Sequence, residues 1–486
     1  MVYKFLERII LRRLKPLVED SLSIDQAGFR AGRSTQDQVL ALSTFIENGF
    51  QQRLKTGAVF LDLTAAYDTV WHKGLLVKIS KVLPAWAVRT IELLLQNRRF
   101  RVHMGDNCSS WRPQKNGLPQ GSVLAPTLLN LYINDLPQTD CRKFTYADDI
   151  CLALQAKTSE DLNRRINEDM SLISAYCKQW RLQPSVNKTV SSVFHLHNAR
   201  CEQELDIYLN GSRIKHDHKP VYLGVTLDRT LTYKDHLQKT AAKIRTRNNL
   251  LQMLANTKWG ADARTLRSTA LALCFSVAEY CAPVWRNSAH RKAIDTQLNS
   301  SMRVISGAIK CTRTEWLPVL CNIVPPDLRR EAATLRLLQA TENIPNLPLN
   351  TDLQNHPRHR LPSRRPIWHN PPDQQFSPAE VWSARWNAAD VPNKHLVDNP
   401  NQRLPGMELP RGLWTLLNRF RADAVPSRSL LHRWGLRQSP QCECGESQTA
   451  NHIVEECVRT RFPGGLAELS KAKEEAATWL ETLNLI

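Results

Sequence analysis

A membrane-spanning segment is missing from this chain. The longest apolar run, "STALALCFSVAEYCAPV", contains Glu279 and falls short of a spanning helix. The amino terminus, "MVYKFLERIILRRLKP", carries charges every few residues and has no signal-peptide pattern. No internal repeat emerges. Acidic residues are scarce: 46 Asp and Glu face 65 Lys and Arg, a net charge of +19 over 486 residues. That excess predicts a polyanion as partner, nucleic acid or an anionic membrane surface, and the apolar runs favour nucleic acid without a membrane. Paired cysteines are also wanting. Most of the twelve lie singly inside apolar segments, which excludes a secreted disulfide scaffold and predicts reduced thiols in nucleus and cytoplasm. A hydrophobic content of 42% excludes wholesale disorder, and the length allows two to four domains.

What is present begins with "FTYADDIC", residues 144–151. Adjacent aspartates repel, and strands tolerate Asp poorly. They fit a solvated hairpin turn or a metal site. Upstream, "AVFLDL" reads as a buried strand ending in Asp62. Asp62, Asp148 and Asp149 would then converge at one sheet edge, where three carboxylates stay ionised cheaply only around a cation. Magnesium prefers such hard oxygen ligands and shares them with phosphates, and two ions would serve phosphoryl transfer.

Apolar residues Leu6, Ile9, Ile10, Leu14 and Leu17 predict an amino-terminal helix. Residues 86–96 read as a helix, "RRFRVHMGDNCSSWRPQKNG" as a hairpin with Gly105 and Asp106 at its tip, and residues 160–180 as a long amphipathic helix. After "NKTVSSVFHL" and "KPVYLGVTLD", both strand-like, the pattern becomes helical to about residue 340. Leu237, Ala241 and Ile244 give the core spacing of the first of these helices, and Lys239, Lys243, Arg245 and Arg247 its other face. Twelve of the 27 prolines fall within 344–411, which predicts a linker or loosely folded segment.

"FLDLTAAYD", "GLPQGSVLAPTLLN", "FTYADD", "NKT" and "YLGVTLD", in this order, resemble the polymerase signatures of a reverse transcriptase. The resemblance is to non-LTR retrotransposons, the jockey-like and related LINE elements. It implies an α+β right-hand polymerase: partial fingers and palm sheet over 1–228, a helical thumb over 229–343, a proline-rich linker over 344–408 and a basic zinc-knuckle-like domain over 409–486. It implies an RNA-directed DNA polymerase using two magnesium ions, template RNA, primer or target DNA and dNTPs, in target-primed synthesis.

By the same resemblance, Asp62, Asp148 and Asp149 bind metal, and Tyr67 is the steric gate against a ribose 2′-hydroxyl. Gln120 and Gly121 form the nucleotide floor, Arg30 and Arg33 cradle the triphosphate, and Lys188 protonates pyrophosphate. The ordinary alternatives are a core tyrosine, a helix-entry turn and solvated cations. Asp68 reads as structural. A strand that usually precedes "YKFLERII" and an amino-terminal endonuclease are not found, so a fragment, an eroded copy or an internal start is expected. An RNA-making polymerase is disfavoured by Tyr67; a catalytically idle nucleic-acid-binding remnant is the rival from another class.

Near the end, Cys442, Cys444, His452 and Cys457 form C-x-C-x7-H-x4-C, four ligands suited to one tetrahedral zinc. Reduced structural thiols are the alternative, and the resemblance favours zinc. Seven arginines in 403–437, with Trp414 and Trp434 among them, suggest a phosphate-binding and stacking surface.

Overall fold

The computed structural model describes residues 2–256, 260–344 and 347–483. They form two units, Met1–Tyr233 with Leu337–Pro371, and Lys234–Arg336 with Pro372–Ile486.

The first unit mixes helix and sheet. It opens with α1 (Val2–Glu19) and α2 (Thr35–Gln51). Ser34 and Asp37 cap α2 reciprocally, each side chain accepting the other's backbone N–H. Of the five apolar residues expected to anchor α1, Ile10 and Leu14 are buried, while Leu6, Ile9 and Leu17 stand exposed.

A five-stranded sheet follows: β1 (Lys55–Leu61), β2 (Arg142–Tyr146), β3 (Asp149–Ala156), β4 (Val190–Phe194) and β5 (Lys215–His216), ordered β5-β4-β1-β3-β2. β1 is central and antiparallel to both neighbours. Both its faces are covered, so it reads as an unbroken small and apolar run instead of an alternation. The helix α7 (Ser159–Gln179) lies close over one face, where a Cβ on Gly57 would come within 2.8 Å of Ile166. Phe45 and Phe144 meet on the other, their ring centroids 5.8 Å apart.

The helices α3 (Ala66–Thr69), α4 (His72–Ile79), α5 (Ala85–Leu95) and α6 (Ala125–Tyr132) complete this part. The expected hairpin is present, with strands at His103–Met104 and Asn107–Cys108 flanking Gly105.

The second unit is helical. Leu237 and Ile244 are buried on the helix Lys234–Leu254, and Lys239, Lys243 and Arg245 are exposed on its other side. Arg247, grouped by sequence with those cations, instead donates to the Leu273 carbonyl.

Residues 344–408 are not the loose linker their prolines suggested. They carry helices Pro348–Gln354 and Pro378–Ala388, each with proline in its first turn, where the missing N–H costs no bond. In the first unit Arg360 donates to the Phe50 and Gln51 carbonyls at the end of α2, and Arg364 pairs with Glu47. In the second unit Trp382 and Trp386 enter a buried cluster with Trp316. Two of its prolines, Pro348 and Pro378, mark helix starts.

The carboxy-terminal arginines also divide. Arg421 is fully buried, donating to the Pro405 carbonyl at 2.8 Å, and Arg411 donates to the Ile305 carbonyl at 2.6 Å. Trp414 is core, its indole N–H donating to the Ile305 carbonyl, so it offers no stacking face. Trp434 remains 45% exposed.

Candidate active site

The sheet register brings the aspartates together. Leu61 pairs with Ile150, so Asp62, one residue past β1, stands next in register to Asp149. β2 and β3 are joined by a two-residue turn, Ala147–Asp148, with Ala147 at φ 54°. A positive φ at the first turn position matches the twist of a tight hairpin. Alanine is poorly suited to that conformation, and the surroundings enforce it.

The enforcing residue is Gln26. It is 4% exposed, and its Oε1 accepts the N–H groups of Ala147 and Gly28 at 2.8 Å each, while its Nε2 donates to the Ala147 carbonyl. Gly28 lies so close that a Cβ there would meet the Ala147 nitrogen at 2.2 Å. Asn130 Nδ2 holds the Gly28 carbonyl in turn. The loop "DQAGFR" therefore clamps the turn that carries Asp148. Nothing local in the loop's sequence signals this role for Gln26.

Asp149 senses the other two carboxylates. Burial first, then the charges of Asp148 and Asp62, raise the Asp149 carboxyl above its ordinary range. Asp62 Oδ2 is buried and accepts no hydrogen bond; Lys188 Nζ stands 3.8 Å from it. An orphaned carboxylate oxygen among like charges suits a hard cation.

Around them, segment 116–121 docks along 67–72. Leu118 donates to the Tyr67 carbonyl, Gly117 to that of Val70, and the His72 ring contacts the Gly117 carbonyl at 2.7 Å. Ser122 and the Val123 N–H bond to Glu7, a carboxylate only 2% exposed on α1. This brings Gln120 to Asp68, whose two carboxylate oxygens its amide reaches at 3.2 Å. Gly121 has φ 84° and open space where a Cβ would stand. Tyr67 is half-buried; burial and then the Asp148 charge push its hydroxyl up to about 12.

Residues 1–227 match the family described as reverse transcriptase (RNA-dependent DNA polymerase). The chain is 33% identical over 316 residues to a probable RNA-directed DNA polymerase from transposon BS of Drosophila melanogaster, covering 62% of this chain and 35% of that protein. Against the RNA-directed DNA polymerase from mobile element jockey of the same species, identity is 30%, over 50% of this chain and 28% of the relative. The chain thus spans about a third of the length of the curated relatives it matches. Telomerase from Candida tropicalis overlies 72% of this chain and 58% of its own at 10% identity, with a TM-score of 0.35.

The two arginines of the reverse transcriptase loop differ. The Arg30 side chain is 6% exposed; its guanidinium pairs with Glu19 and donates to the Ser23, Gln26 and Glu19 carbonyls. It is not free to cradle a triphosphate. Arg33 is half-buried and donates through Nη1 to the Ile24 and Gln26 carbonyls; burial, then Arg30, lowers its pKa to about 10.

Outside the reverse transcriptase region, the ligand atoms of Cys442, Cys444, His452 and Cys457 lie within 4.8 Å of one another. The Cys442–Cys457 and Cys457–Cys444 sulfur separations are 3.8 and 3.9 Å. Tetrahedral zinc with Zn–S bonds of about 2.3 Å requires sulfurs about 3.8 Å apart. The His452 Nδ1 faces Glu456 at 3.5 Å, the kind of outer partner that orients a ligating imidazole.

Proposed function

We propose that this chain is the polymerase portion of a non-LTR retrotransposon enzyme, an RNA-directed DNA polymerase extending a DNA primer on template RNA. The carrying observation is Asp62, Asp148 and Asp149 at one sheet edge with Tyr67 beside Asp148. Asp62, Asp148 and Asp149 would hold two magnesium ions, which when bound activate the primer 3′-hydroxyl and neutralise the leaving pyrophosphate. The orphaned Asp62 oxygen supports that fit.

The chain's own groups do the rest. The Tyr67 ring closes the space a ribose 2′-hydroxyl would need. Gly121, with no Cβ and open space beside it, lets backbone approach the incoming dNTP, and Gln120 is steadied by Asp68. Arg33 offers its remaining guanidinium edge to phosphate oxygens, while Arg30 holds the loop through Glu19. Lys188, 70% exposed beside Asp62, is placed to protonate pyrophosphate. Residues 1–228 act as fingers and palm, helices of 229–343 as thumb, and the Cys/His cluster binds one structural zinc within a nucleic-acid-binding tail. Synthesis is target-primed, and the protein resides in nucleus and cytoplasm.

Primer extension on poly(rA)/oligo(dT) tests this. Asp62→Asn and Asp148→Asn should each abolish extension while template binding stays near parent level; residual extension within tenfold of the parent refutes the two-metal assignment. Tyr67→Ala should raise ribonucleotide use relative to deoxyribonucleotide, and an unchanged ratio removes the gate.

A further inference from the structure

The last ladder pair joining β1 to β4 is Phe60 with Val190. Carried two positions further, that register sets Leu61 against Thr189 and Asp62 against Lys188. There the backbone ladder gives way to a different set of bonds. The Asp62 N–H donates to the side-chain Oγ1 of Thr189 at 3.2 Å, and the Asp62 carbonyl accepts the Ser185 N–H at 2.9 Å. The Thr64 N–H donates to the Gln183 carbonyl at 2.8 Å, and Leu63 bridges to Pro184. Thr189 is tied back in turn, its N–H donating to the Ser185 carbonyl at 2.9 Å. Segment 183–189 therefore holds both backbone polar groups of Asp62.

Of these bonds, the one to the Thr189 hydroxyl is made by a side chain, so residue choice controls it. Thr189 is fully buried, and Leu61 and Leu63 on either side of Asp62 are buried too. A β-branched shape suits a strand start, and valine would supply it equally well. The hydroxyl is needed only for its bond to Asp62. The Asp62 Oδ2 accepts no hydrogen bond and Lys188 stands 3.8 Å off, so the carboxylate's place is set largely through its backbone. Magnesium tolerates little error there, since it takes oxygen ligands at about 2.0–2.1 Å in near-octahedral geometry.

We propose that Thr189 is a positioning residue for the polymerase reaction: its hydroxyl fixes the Asp62 backbone, and through it the carboxylate that would hold metal. The threonine of "NKT" thus has a role apart from that of Lys188, which the same register places opposite Asp62. Thr189 stands to Asp62 as Gln26 stands to Asp148, a buried side chain gripping the backbone that carries a carboxylate. The inference rests on the reading of Asp62 as a metal ligand.

The test sets Thr189→Val, which keeps the shape and removes the hydroxyl, against Thr189→Ser, which keeps the hydroxyl. In the full chain without divalent cation, exchange of the Asp62 amide hydrogen should quicken at least about fivefold in Thr189→Val, the factor for one hydrogen bond. Thr189→Ser should stay near the parent. The magnesium concentration for half-maximal primer extension should rise about tenfold in Thr189→Val, as loss of an outer-shell partner does, and little in Thr189→Ser. A threonine that merely fills space would give the reverse order, because serine opens a cavity where the methyl stood and valine does not. Should Thr189→Val fail to fold, Thr189→Ala takes its place in both measurements with the same expectation. Asp62→Asn, run alongside, separates the two readings: residual extension within about tenfold of the parent removes the metal ligand and this inference with it. If Asp62→Asn abolishes extension while either measurement on the hydroxyl-free variant stays within about twofold of the parent, the role of Thr189 alone is refuted.

Discussion

Replacing Gln26 by alanine would strip the aspartate turn of its clamp. Three hydrogen bonds go at once, two accepted from the N–H groups of Ala147 and Gly28 and one given to the Ala147 carbonyl. Ala147 is 5% exposed, so water does not readily replace them. Each orphaned buried donor costs about 1–3 kcal/mol, so the two N–H groups together make opening of the turn easier by about 2–6 kcal/mol. With tenfold per 1.4 kcal/mol, even the lower bound is roughly thirtyfold. Hydrogen exchange of the peptide spanning 144–151 should therefore quicken at least that much. Primer extension should fall, because Asp148 rides on the loosened turn, while RNA binding persists. Gln26→Glu is the informative companion: it keeps an acceptor for both N–H groups and loses only the donor, so protection should fall between parent and Gln26→Ala. Exchange in Gln26→Ala within threefold of the parent would refute the clamp.

Two further predictions concern charge and metal. Asp149 titrates above the ordinary carboxylate value through burial and then its neighbours Asp148 and Asp62. A raised folded-state pKa stabilises at low pH, and that contribution is lost as pH rises through the folded value. At neutral pH without magnesium, Asp149→Asn should thus raise the melting temperature, with the gain shrinking as pH falls through the carboxylate range; a pH-independent gain would break the argument. For the Cys/His cluster, metal analysis should find about one zinc per chain in the parent and a loss of most of it in Cys444→Ser, with extension on saturating primer-template preserved. The full chain is the right sample, because Arg411, Trp414 and Asn418 bond to carbonyls of Ile305 and Ser306, partners an isolated tail would lack. Zinc below about 0.2 per folded parent chain returns the cluster to ordinary thiols.

Several features were legible because their chemistry is local. An apolar run of strand length ending in Asp62, two aspartates in a tight turn, and four soft ligands within sixteen residues each state their geometry over a short span. The helical stretch after residue 233 was equally plain from its spacing. Proline count failed over 344–408 because proline at a helix start and proline in a linker look alike until tryptophans such as Trp382 and Trp386 find a core.

By itself the sequence determined which groups were available: three aspartates, a tyrosine five residues past the first of them, a basic excess, and a Cys/His set. Only the tertiary structure decided which of them are free to act. Arg30 and Arg33 share one loop, yet Arg30 is closed off by Glu19 and backbone carbonyls. Trp414 is sealed in the core and Trp434 is not. Gln26 clamps a turn 121 residues away, and Thr189 holds the Asp62 N–H across 127 residues. Each outcome depends on which distant carbonyl, carboxylate or amide the fold brings within hydrogen-bond reach. Hydrogen-bond satisfaction is settled in three dimensions, and nearest neighbours along the chain do not encode it.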